Sequence, residues 1–315
     1  MRVGVVFPGQ GSQVVGMGVD VARAYPAALE CFTAARTILG YDLLALCEHG
    51  PEDKLRETRY AQPAIFVSNL ALARAAGDLL DPVVSAGHSF GEYCSLTLAG
   101  ALSFEAALSL VNQRGLAMHR AAGLAQGAMA AVLGLDPGAL RAAVAQAVER
   151  GAGRVQLANF NAPGQIVISG DAAAVAVAGE LAIAAGAKRI VPLNVAGAWH
   201  SALMEPARAE FAHHVHDAVV ELPRFTVISN VDARPYADVE TIKTNLARSV
   251  TDEVLWHDVA VAMVATGLDL IVELGASPVL APMMKRIAGA PKVLGAGDAA
   301  GILKLRALLA PAPVS

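Results

Sequence analysis

Short runs rich in β-branched residues alternate along this chain with longer alanine-rich segments of helical periodicity. The runs that predict buried strands are Val3–Phe7, residues 82–86 and residues 268–274. The segments that predict helices are residues 19–39, 62–76, 104–121 and 205–220. This alternation is typical of parallel strands joined by crossover helices, so the sequence predicts an α/β fold with a parallel sheet.

One segment breaks the alternation. From residue 128 the predicted order is strand, helix, strand, strand, helix, strand, at residues 129–134, 140–148, 155–160, 165–169, 172–185 and 187–192. The order β-α-β-β-α-β indicates a ferredoxin-like unit. We therefore predict a large, discontinuous α/β domain at residues 1–126 and 196–315, with a small ferredoxin-like subdomain inserted at residues 127–195. The only linker-like stretch is the Pro/Ala-rich tail at residues 310–315.

A serine lies within a glycine-flanked bend, GHSFG at residues 87–91, directly after the second predicted strand. In a G-x-S-x-G turn between a strand and a helix, the glycines let the backbone fold sharply and the serine oxygen projects above the sheet. Such a nucleophile elbow is typical of α/β-hydrolase-like domains. Ser89 is therefore a candidate nucleophile, and the alternative is a structural turn that contains a serine.

Composition excludes several classes of protein. The 315 residues are 55% hydrophobic with a formal net charge of -4, which gives no basic field for nucleic acid. No apolar stretch approaches membrane-spanning length, so we expect no membrane association. The cysteines are far apart and form no C-x-x-C pair, which favours a reducing cytoplasm over disulfides or a zinc site.

A serine nucleophile needs a base, and eight histidines are available. His200 follows a predicted strand and a loop of small residues, at the end of the sheet where α/β active sites collect. It is either the catalytic base or a satisfied loop histidine. His88 should point away from its neighbour Ser89, and the histidines at 213, 214 and 216 are read as a solvated helical face, since no ligand spacing supports a metal.

Arg114 falls in register with an apolar helical stripe formed by Phe104, Ala107, Val111 and Met118. A cation on a buried face needs an anion. That anion is either an internal carboxylate such as Glu92 or a carboxylate on the substrate, which a guanidinium can grip with two hydrogen bonds.

Six separated motifs together resemble the malonyl-CoA:acyl carrier protein transacylases of fatty-acid synthesis and their polyketide acyltransferase relatives. They are FPGQGSQ (7–13), GHSFGEY (87–93), NQRG (112–115), NFNAPGQ (159–165), GAWHS (197–201) and ELG (273–275). The resemblance runs in order through essentially the whole chain.

The resemblance implies a ping-pong transfer in which Ser89 attacks malonyl-CoA with His200 as base. The backbone N–H groups of Gln10 and Phe90 would hold the oxyanion, and Arg114 would pair with the free carboxylate of malonate. No cofactor or metal is implied, because malonyl-CoA is a substrate and the phosphopantetheine belongs to the partner, an acyl carrier protein. A monomer is expected.

Two positions bear on selectivity and on the orientation of the base. Trp199 occupies a position at which relatives vary in size, so it either crowds an α-methyl branch and disfavours methylmalonyl-CoA or simply packs the loop. Ser249 stands where the family often has Gln, a residue that orients the histidine largely through its backbone carbonyl. We expect that backbone contact to remain, and Asp252 is a candidate substitute as a third triad member.

Other functions compete with this interpretation. A thioester hydrolase would use the same Ser89 and His200, and a trans-acting polyketide acyltransferase would share the chemistry with another acyl unit. A nucleotide-binding enzyme is disfavoured, because the GQG at 9–11 and the GAG at 295–297 lack the third glycine of a dinucleotide site. Basic residues that either meet an acidic carrier protein or are ordinary surface charge are Lys188, Arg189, Lys285 and Arg286.

Overall fold

The computed structural model of the chain describes residues 1–310. The predicted tail at 310–315 lies, apart from Ala310, outside the described residues. Within residues 1–310 no helix is long and apolar enough to cross a membrane.

Residues 1–310 form nine strands in two sheets. The strands are β1 Val3–Phe7, β2 Pro82–Gly87, β3 Gly127–Leu133, β4 Val155–Ala162, β5 Gln165–Asp171, β6 Arg189–Pro192, β7 Thr226–Val227, β8 Leu270–Glu273 and β9 Lys292–Gly295. The larger sheet has the order β7-β2-β1-β8-β9, and every neighbouring pair in it is parallel. The predicted α/β fold with a parallel sheet is confirmed.

The helices of residues 1–310 cover the parallel sheet and connect its strands, except α8 and α9, which pack on the second sheet. They are α1 Val19–Ala24, α2 Pro26–Leu39, α3 Leu43–His49, α4 Glu52–Arg56, α5 Thr58–Ala76, α6 Gly91–Leu98, α7 Phe104–Ala122, α8 Pro137–Glu149, α9 Ala172–Ala184, α10 Glu205–Asp217, α11 Val239–Arg248, α12 Trp256–Ala265, α13 Ala281–Met284 and α14 Ala299–Leu309. Helices α5 and α7 pack against each other.

The second sheet contains β3 to β6 in the order β4-β5-β3-β6, with antiparallel neighbours throughout. Helices α8 and α9 follow β3 and β5, so the chain order and the sheet order are those of a ferredoxin-like unit. Its apolar residues form a core of their own, which includes Leu140, Ile168 and Ala178. These elements lie between residues 127 and 192, and the exact domain boundaries stay a prediction.

Backbone hydrogen bonds join β4 to the segment that precedes α12. Phe160 N–H donates to the Val254 carbonyl at 2.9 Å, and Val254 N–H donates to the Ala158 carbonyl at 2.8 Å. The inserted unit is thereby attached to the segment that leads into α12, next to the carboxyl end of the parallel sheet.

Some predicted elements need correction. The helix predicted over 19–39 is two helices, because Pro26 has no N–H and disfavours helical geometry in the residue before it, and Tyr25 is extended at φ −129° and ψ 115°. The helix predicted over 205–220 ends at Asp217, since Ala218 is extended at φ −68° and ψ 141°. Other predicted bounds differ by a few residues, as element ends often do.

Candidate active site

Ser89 lies in a sharp bend between β2 and α6, with φ at 53°, in the left-handed region. A Cβ at Gly87 would lie 1.9 Å from the carbonyl carbon of Gly91, and a Cβ at Gly91 would lie 2.4 Å from the Phe7 oxygen. Only glycine fits at either position, since no real Cβ approaches backbone so closely. The bend is therefore a nucleophile elbow in geometry as well as in sequence.

His200 meets Ser89 across 111 positions of sequence, with 2.8 Å between Ser89 Oγ and His200 Nε2. On the other side of the ring, Nδ1 lies 3.1 Å from the main-chain oxygen of Asp252. A carbonyl oxygen can only accept, so Nδ1 carries the ring proton and Nε2 accepts the hydrogen bond from the serine hydroxyl. The geometry is that of a nucleophile and its base.

The contact that orients His200 differs in part from the prediction. The Asp252 carbonyl makes the hydrogen bond, whereas the Asp252 carboxylate bonds Arg248 Nε at 2.9 Å and Thr251 Oγ1 at 3.1 Å. Asp252 is thus wrong as a triad carboxylate, although its backbone holds the ring. The Ser249 hydroxyl donates to the Leu246 carbonyl at 2.8 Å, and the Ser249 backbone raises the pKa of His200 without providing the hydrogen bond that orients the ring.

The ionisation of His200 is strongly biased toward the neutral form. Burial, the positive charge of Arg114 and the ring of His88 lower its pKa to about 3, against the raising effect of the backbone acceptors at Asp252 and Ser249. A neutral imidazole can accept a proton, so the base is ready for use across the physiological pH range.

Arg114 is 1% exposed on α7 and lies against the same cavity as Ser89. Its Nη1 donates to Gln62 Oε1 at 2.9 Å, while Nε and Nη2 have no partner within residues 1–310. Burial lowers the pKa of Arg114, although a guanidinium keeps its charge in proteins. A buried cation with two free donors is a site for an anion that the described chain does not supply.

The alternative prediction, that Glu92 is the internal anion paired with Arg114, is wrong. Glu92 is fully buried and accepts hydrogen bonds from the Tyr236 hydroxyl at 2.7 Å and from Asn230, and no Glu92–Arg114 ion pair occurs within the described chain. Burial raises the pKa of Glu92 to about 7, with the hydrogen bonds from Asn230 and Tyr236 opposing the shift.

Gln10 and Phe90 both line the cavity next to Ser89. Neither backbone N–H donates to an acceptor within residues 1–310, whereas the N–H of Ser89 donates to Asn230 Oδ1 at 3.1 Å. The Gln10 side chain is anchored by a 3.1 Å hydrogen bond from Nε2 to Thr58 Oγ1. Two free N–H groups are thus available to an oxyanion at the positions that the resemblance implied.

The cavity that collects these groups has a volume of about 170 Å³ and two chemically different walls. The wall from the parallel sheet and its helices carries the polar groups described above. The wall from the inserted unit and the loop that follows it contributes Met129, Asn159, Asn161, Val167, Leu193 and Val195, and the segment between β8 and β9 adds Val279 and Met283.

Trp199 is 6% exposed and also lines the cavity. Its ring lies over Gly197, where a Cβ would come within 2.7 Å of the indole and 2.9 Å of the Ala122 Cβ. The residue therefore packs the loop and borders the acyl space at once, so both interpretations of Trp199 stay open.

The remaining histidines and basic residues make no hydrogen bond to Ser89 within residues 1–310. His88 donates from Nε2 to Asn161 Oδ1 at 2.8 Å and lines the same cavity as Ser89. No group of three His, Cys, Asp or Glu side chains within residues 1–310 is placed to hold a metal ion. The four basic residues proposed for carrier-protein contact are all exposed, and Arg286 hydrogen-bonds the Pro163 carbonyl and Gln165 at the edge of the inserted unit.

Sequence reasoning missed Asn230 and Gln62. Asn230 hydrogen-bonds the elbow from 141 positions away, and Gln62 holds Arg114 from 52 positions away. Neither residue stands in a motif or a periodic stripe that we had read, so only the fold reveals them.

Comparison with known proteins shows which family the chain resembles along its length. Residues 5–293 match the family model described as acyl transferase domain. A malonyl CoA-acyl carrier protein transacylase of Haemophilus influenzae is 40% identical over 302 residues, which are 95% of this chain and 96% of the relative. A solved acyl carrier protein S-malonyltransferase from Vibrio cholerae is 39% identical with a TM-score of 0.92, covering 97% of this chain and 100% of its own.

A further solved structure is that of a malonyl-transacylase in complex with a type II PKS acyl-carrier protein. It is 36% identical to this chain with a TM-score of 0.93, and the match covers 98% of this chain and 100% of the other. Similarity at this level extends over the elbow, the inserted unit and both walls of the cavity.

Proposed function

The chain belongs to the acyl transferase family, among the malonyl CoA-acyl carrier protein transacylases, and on that premise we propose that it moves a malonyl group from malonyl-CoA to the phosphopantetheine thiol of an acyl carrier protein. The intermediate is a malonyl ester of Ser89. The observation that carries the choice of acyl group is Arg114, a buried cation with two unused donors beside the nucleophile.

In the first half-reaction, His200 Nε2 takes the proton of the Ser89 hydroxyl as Oγ attacks the thioester carbonyl carbon. The N–H groups of Gln10 and Phe90 donate to the oxyanion that forms. The carbon–sulfur bond then breaks, the coenzyme A sulfur takes the proton from His200, and the malonyl group stays on Ser89.

The second half-reaction reverses these steps with a different thiol. The phosphopantetheine thiol of the carrier protein gives its proton to His200 and attacks the ester carbonyl. The bond to Ser89 Oγ breaks, the serine regains its proton from His200, and the malonyl group leaves as a thioester on the carrier. Two substrates using one site in turn give ping-pong kinetics.

Arg114 makes the enzyme an acid-selective transferase. The free carboxylate of malonate accepts from the two unused donors, Nε and Nη2, and neutralises the buried charge. An acetyl group would leave the cation unpaired in a buried site, which costs binding free energy, so acetyl-CoA is a poor substrate. The bulk of Trp199 disfavours an α-methyl branch.

Several parts of this proposal concern partners. The reaction needs no cofactor, because the thiols that carry the acyl group belong to the two substrates. The enzyme acts as a monomer, binds no nucleic acid, and meets the acidic carrier protein with Lys188, Arg189, Lys285 and Arg286. Carriers of fatty-acid synthesis and of polyketide assembly are both candidates, and the similarity to a transacylase solved with a type II PKS acyl-carrier protein supports the second.

The test is intact-protein mass spectrometry after brief incubation with an equimolar mixture of malonyl-CoA, methylmalonyl-CoA and acetyl-CoA. A single malonyl adduct that is discharged by a holo carrier protein is the expected result. Free coenzyme A without an adduct would identify a thioester hydrolase, and an acetyl or methylmalonyl adduct would overturn the roles of Arg114 and Trp199.

A further inference from the structure

We propose that Asn230 is a positioning residue that holds the nucleophile and the base of this enzyme in register. The inference rests on the proposed function only for the identity of the acyl group, because the contacts of Asn230 concern Ser89 and His200 themselves. Asn230 is 1% exposed, lies outside the cavity lining and has no part in the chemistry described above.

The side chain of Asn230 bonds the elbow at three points. Its Oδ1 accepts from Ser89 N–H at 3.1 Å, and its Nδ2 donates to the Gly87 carbonyl at 2.8 Å and to the Ser89 carbonyl at 3.3 Å. The peptide groups on both sides of the nucleophile are thereby tied to one amide. A non-glycine residue at φ 53° is strained and persists only where its surroundings hold it.

The same contact selects the oxyanion donors. Because Ser89 N–H donates to Asn230 Oδ1, the next N–H of the elbow, that of Phe90, remains available to the substrate, as does the Gln10 N–H. Without Asn230 the elbow would have the Ser89 N–H and the Gly87 carbonyl to satisfy, since the Ser89 carbonyl also accepts from Glu92 N–H at 3.1 Å. A small rotation of the Ser89–Phe90 peptide would then turn the Phe90 donor away from the oxyanion.

The backbone of Asn230 contacts the segment that orients the base. Its carbonyl accepts from Leu255 N–H at 2.9 Å, and three residues earlier along the chain, in the turn after α11, the Asp252 carbonyl holds His200 Nδ1 at 3.1 Å. One residue thus contacts the peptide of the nucleophile with its side chain and the segment that orients the base with its main chain.

Asn230 is itself held rigidly. It lies on a tight turn closed by hydrogen bonds from Ser229 N–H to the Arg234 carbonyl at 2.9 Å and from Ala233 N–H to the Ser229 carbonyl at 3.1 Å. Within residues 1–310 three non-glycine residues have positive φ, and they are Ser89, His200 and Ala233 of this turn. Strained backbone therefore marks the nucleophile, the base and the turn that joins them.

The chemistry requires an amide at this position. Glu92 accepts from Asn230 Nδ2 at 3.0 Å and from Asn230 N–H at 3.1 Å, and no cation pairs with Glu92 in the described chain. An aspartate would lose every donated bond and set a second carboxylate against Glu92, and an aliphatic residue would leave the elbow groups unpaired.

The experiment compares Asn230→Ala with Asn245→Ala. Asn245 is the matched control, a buried asparagine whose amide bonds Ser229 Oγ at 3.1 Å and Asp232 Oδ2 at 3.2 Å and does not contact the elbow. Two rates are measured on folded protein: rapid-quench formation of the malonyl-enzyme and labelling of Ser89 by a fluorophosphonate, with Ser89→Ala as the blank. Thermal melting records stability separately.

We expect Asn230→Ala to slow both acylation and labelling by about 10²-fold, the size of effect that a displaced reacting group produces, with little change in KM because Arg114 is untouched. Asn245→Ala should lower the melting temperature and leave both rates within about threefold of the parent. If Asn230→Ala does not fold, Asn230→Ser is measured by the same criteria, with an expected loss of about tenfold.

Rates of the Asn230 variant within about threefold of the parent, with a lowered melting temperature, would overturn the proposal and leave Asn230 as a core residue. Loss of equal size in Asn245→Ala would overturn it too. If the parent enzyme labels with the fluorophosphonate but accepts no malonyl group, the proposed function fails, and the labelling rates still decide the role of Asn230.

Discussion

The two sheets of this molecule contribute differently to one cavity. The parallel sheet supplies the elbow after β2 and the Gln10 turn after β1, and α7 carries Arg114, whereas the base His200 lies in the loop that follows β6 of the antiparallel sheet. The antiparallel sheet supplies Met129 from β3 and Asn161 from β4, which shape the space. The nucleophile, the oxyanion donors and the cation therefore come from the parallel-sheet side, whereas the antiparallel sheet shapes the space and leads into the loop that holds the base.

The reason lies in the way that the strands end. In a parallel sheet the carboxyl ends of neighbouring strands lie at one edge, where turns and helix N-termini present free N–H groups and side chains to a ligand. In the antiparallel sheet successive strand ends alternate, and the polar backbone is used within the sheet. The strands of the antiparallel sheet therefore contribute a side-chain surface to the cavity wall.

The variant with the largest expected effect on this comparison is Ser89→Ala. We expect loss of the malonyl-enzyme and a fall of at least about 10³-fold in transfer, because the nucleophile and its base act as a unit. Intact mass and carrier-protein acylation measure the two effects. Retention of full activity would place the nucleophile elsewhere, even on the other wall.

Arg114→Ala tests whether charge selection also belongs to the parallel-sheet side. We expect kcat/KM for malonyl-CoA to fall by about 10²- to 10³-fold, and the preference over acetyl-CoA to shrink, because the carboxylate loses a buried charge-assisted partner. Arg120→Ala is the control, an exposed arginine on the same helix that pairs with Glu210. An unchanged preference would make Arg114 a structural cation.

The pH dependence of acylation tests whether His200 is neutral in the buried site. Because the pKa of His200 is about 3, the base is deprotonated well below neutrality, and kcat/KM for acylation should change by less than about twofold between pH 5 and 8. Stopped-flow release of coenzyme A in the first turnover measures it. A decline on the acid side with an apparent pKa near the ordinary value of about 6.5 would mean that water enters the cavity.

The smallest expected effect comes from the inserted unit. Ile168→Val removes one methylene-sized group from the core of the antiparallel sheet and should cost about 1 kcal/mol of unfolding free energy, with acylation within about twofold of the parent. The control is Ile271→Val, the same change in β8 of the parallel sheet. Denaturant unfolding gives the free energies, and a fall in acylation of more than tenfold for Ile168→Val would show that this sheet does more than shape the wall.

The parts that could be predicted from the sequence are those set by local chemistry. The glycines around Ser89 predict a sharp bend because no other residue fits one, and the stripe on α7 places Arg114 on a buried face because helical periodicity is local. Short elements such as β7 and α13 escaped prediction, since two to four residues carry no periodic signal. The helix break at Tyr25 was missed in the sequence analysis, although a proline at position 26 disfavours helical geometry in the residue before it.

The sequence by itself determined the layered α/β fold, the inserted unit, the elbow, and the residue types that a transacylase of this family needs. Only the tertiary structure decided that Arg114 has no anion partner within residues 1–310 and that the Asp252 backbone rather than a carboxylate orients His200. It also decided that Asn230 contacts both the peptide of Ser89 and the segment that orients His200. The physical reason is the sequence distance over which each kind of interaction acts. Backbone geometry and periodicity act over a few residues, whereas hydrogen bonds that satisfy buried groups join residues 52 and 141 positions apart, and the packed fold alone brings them into contact.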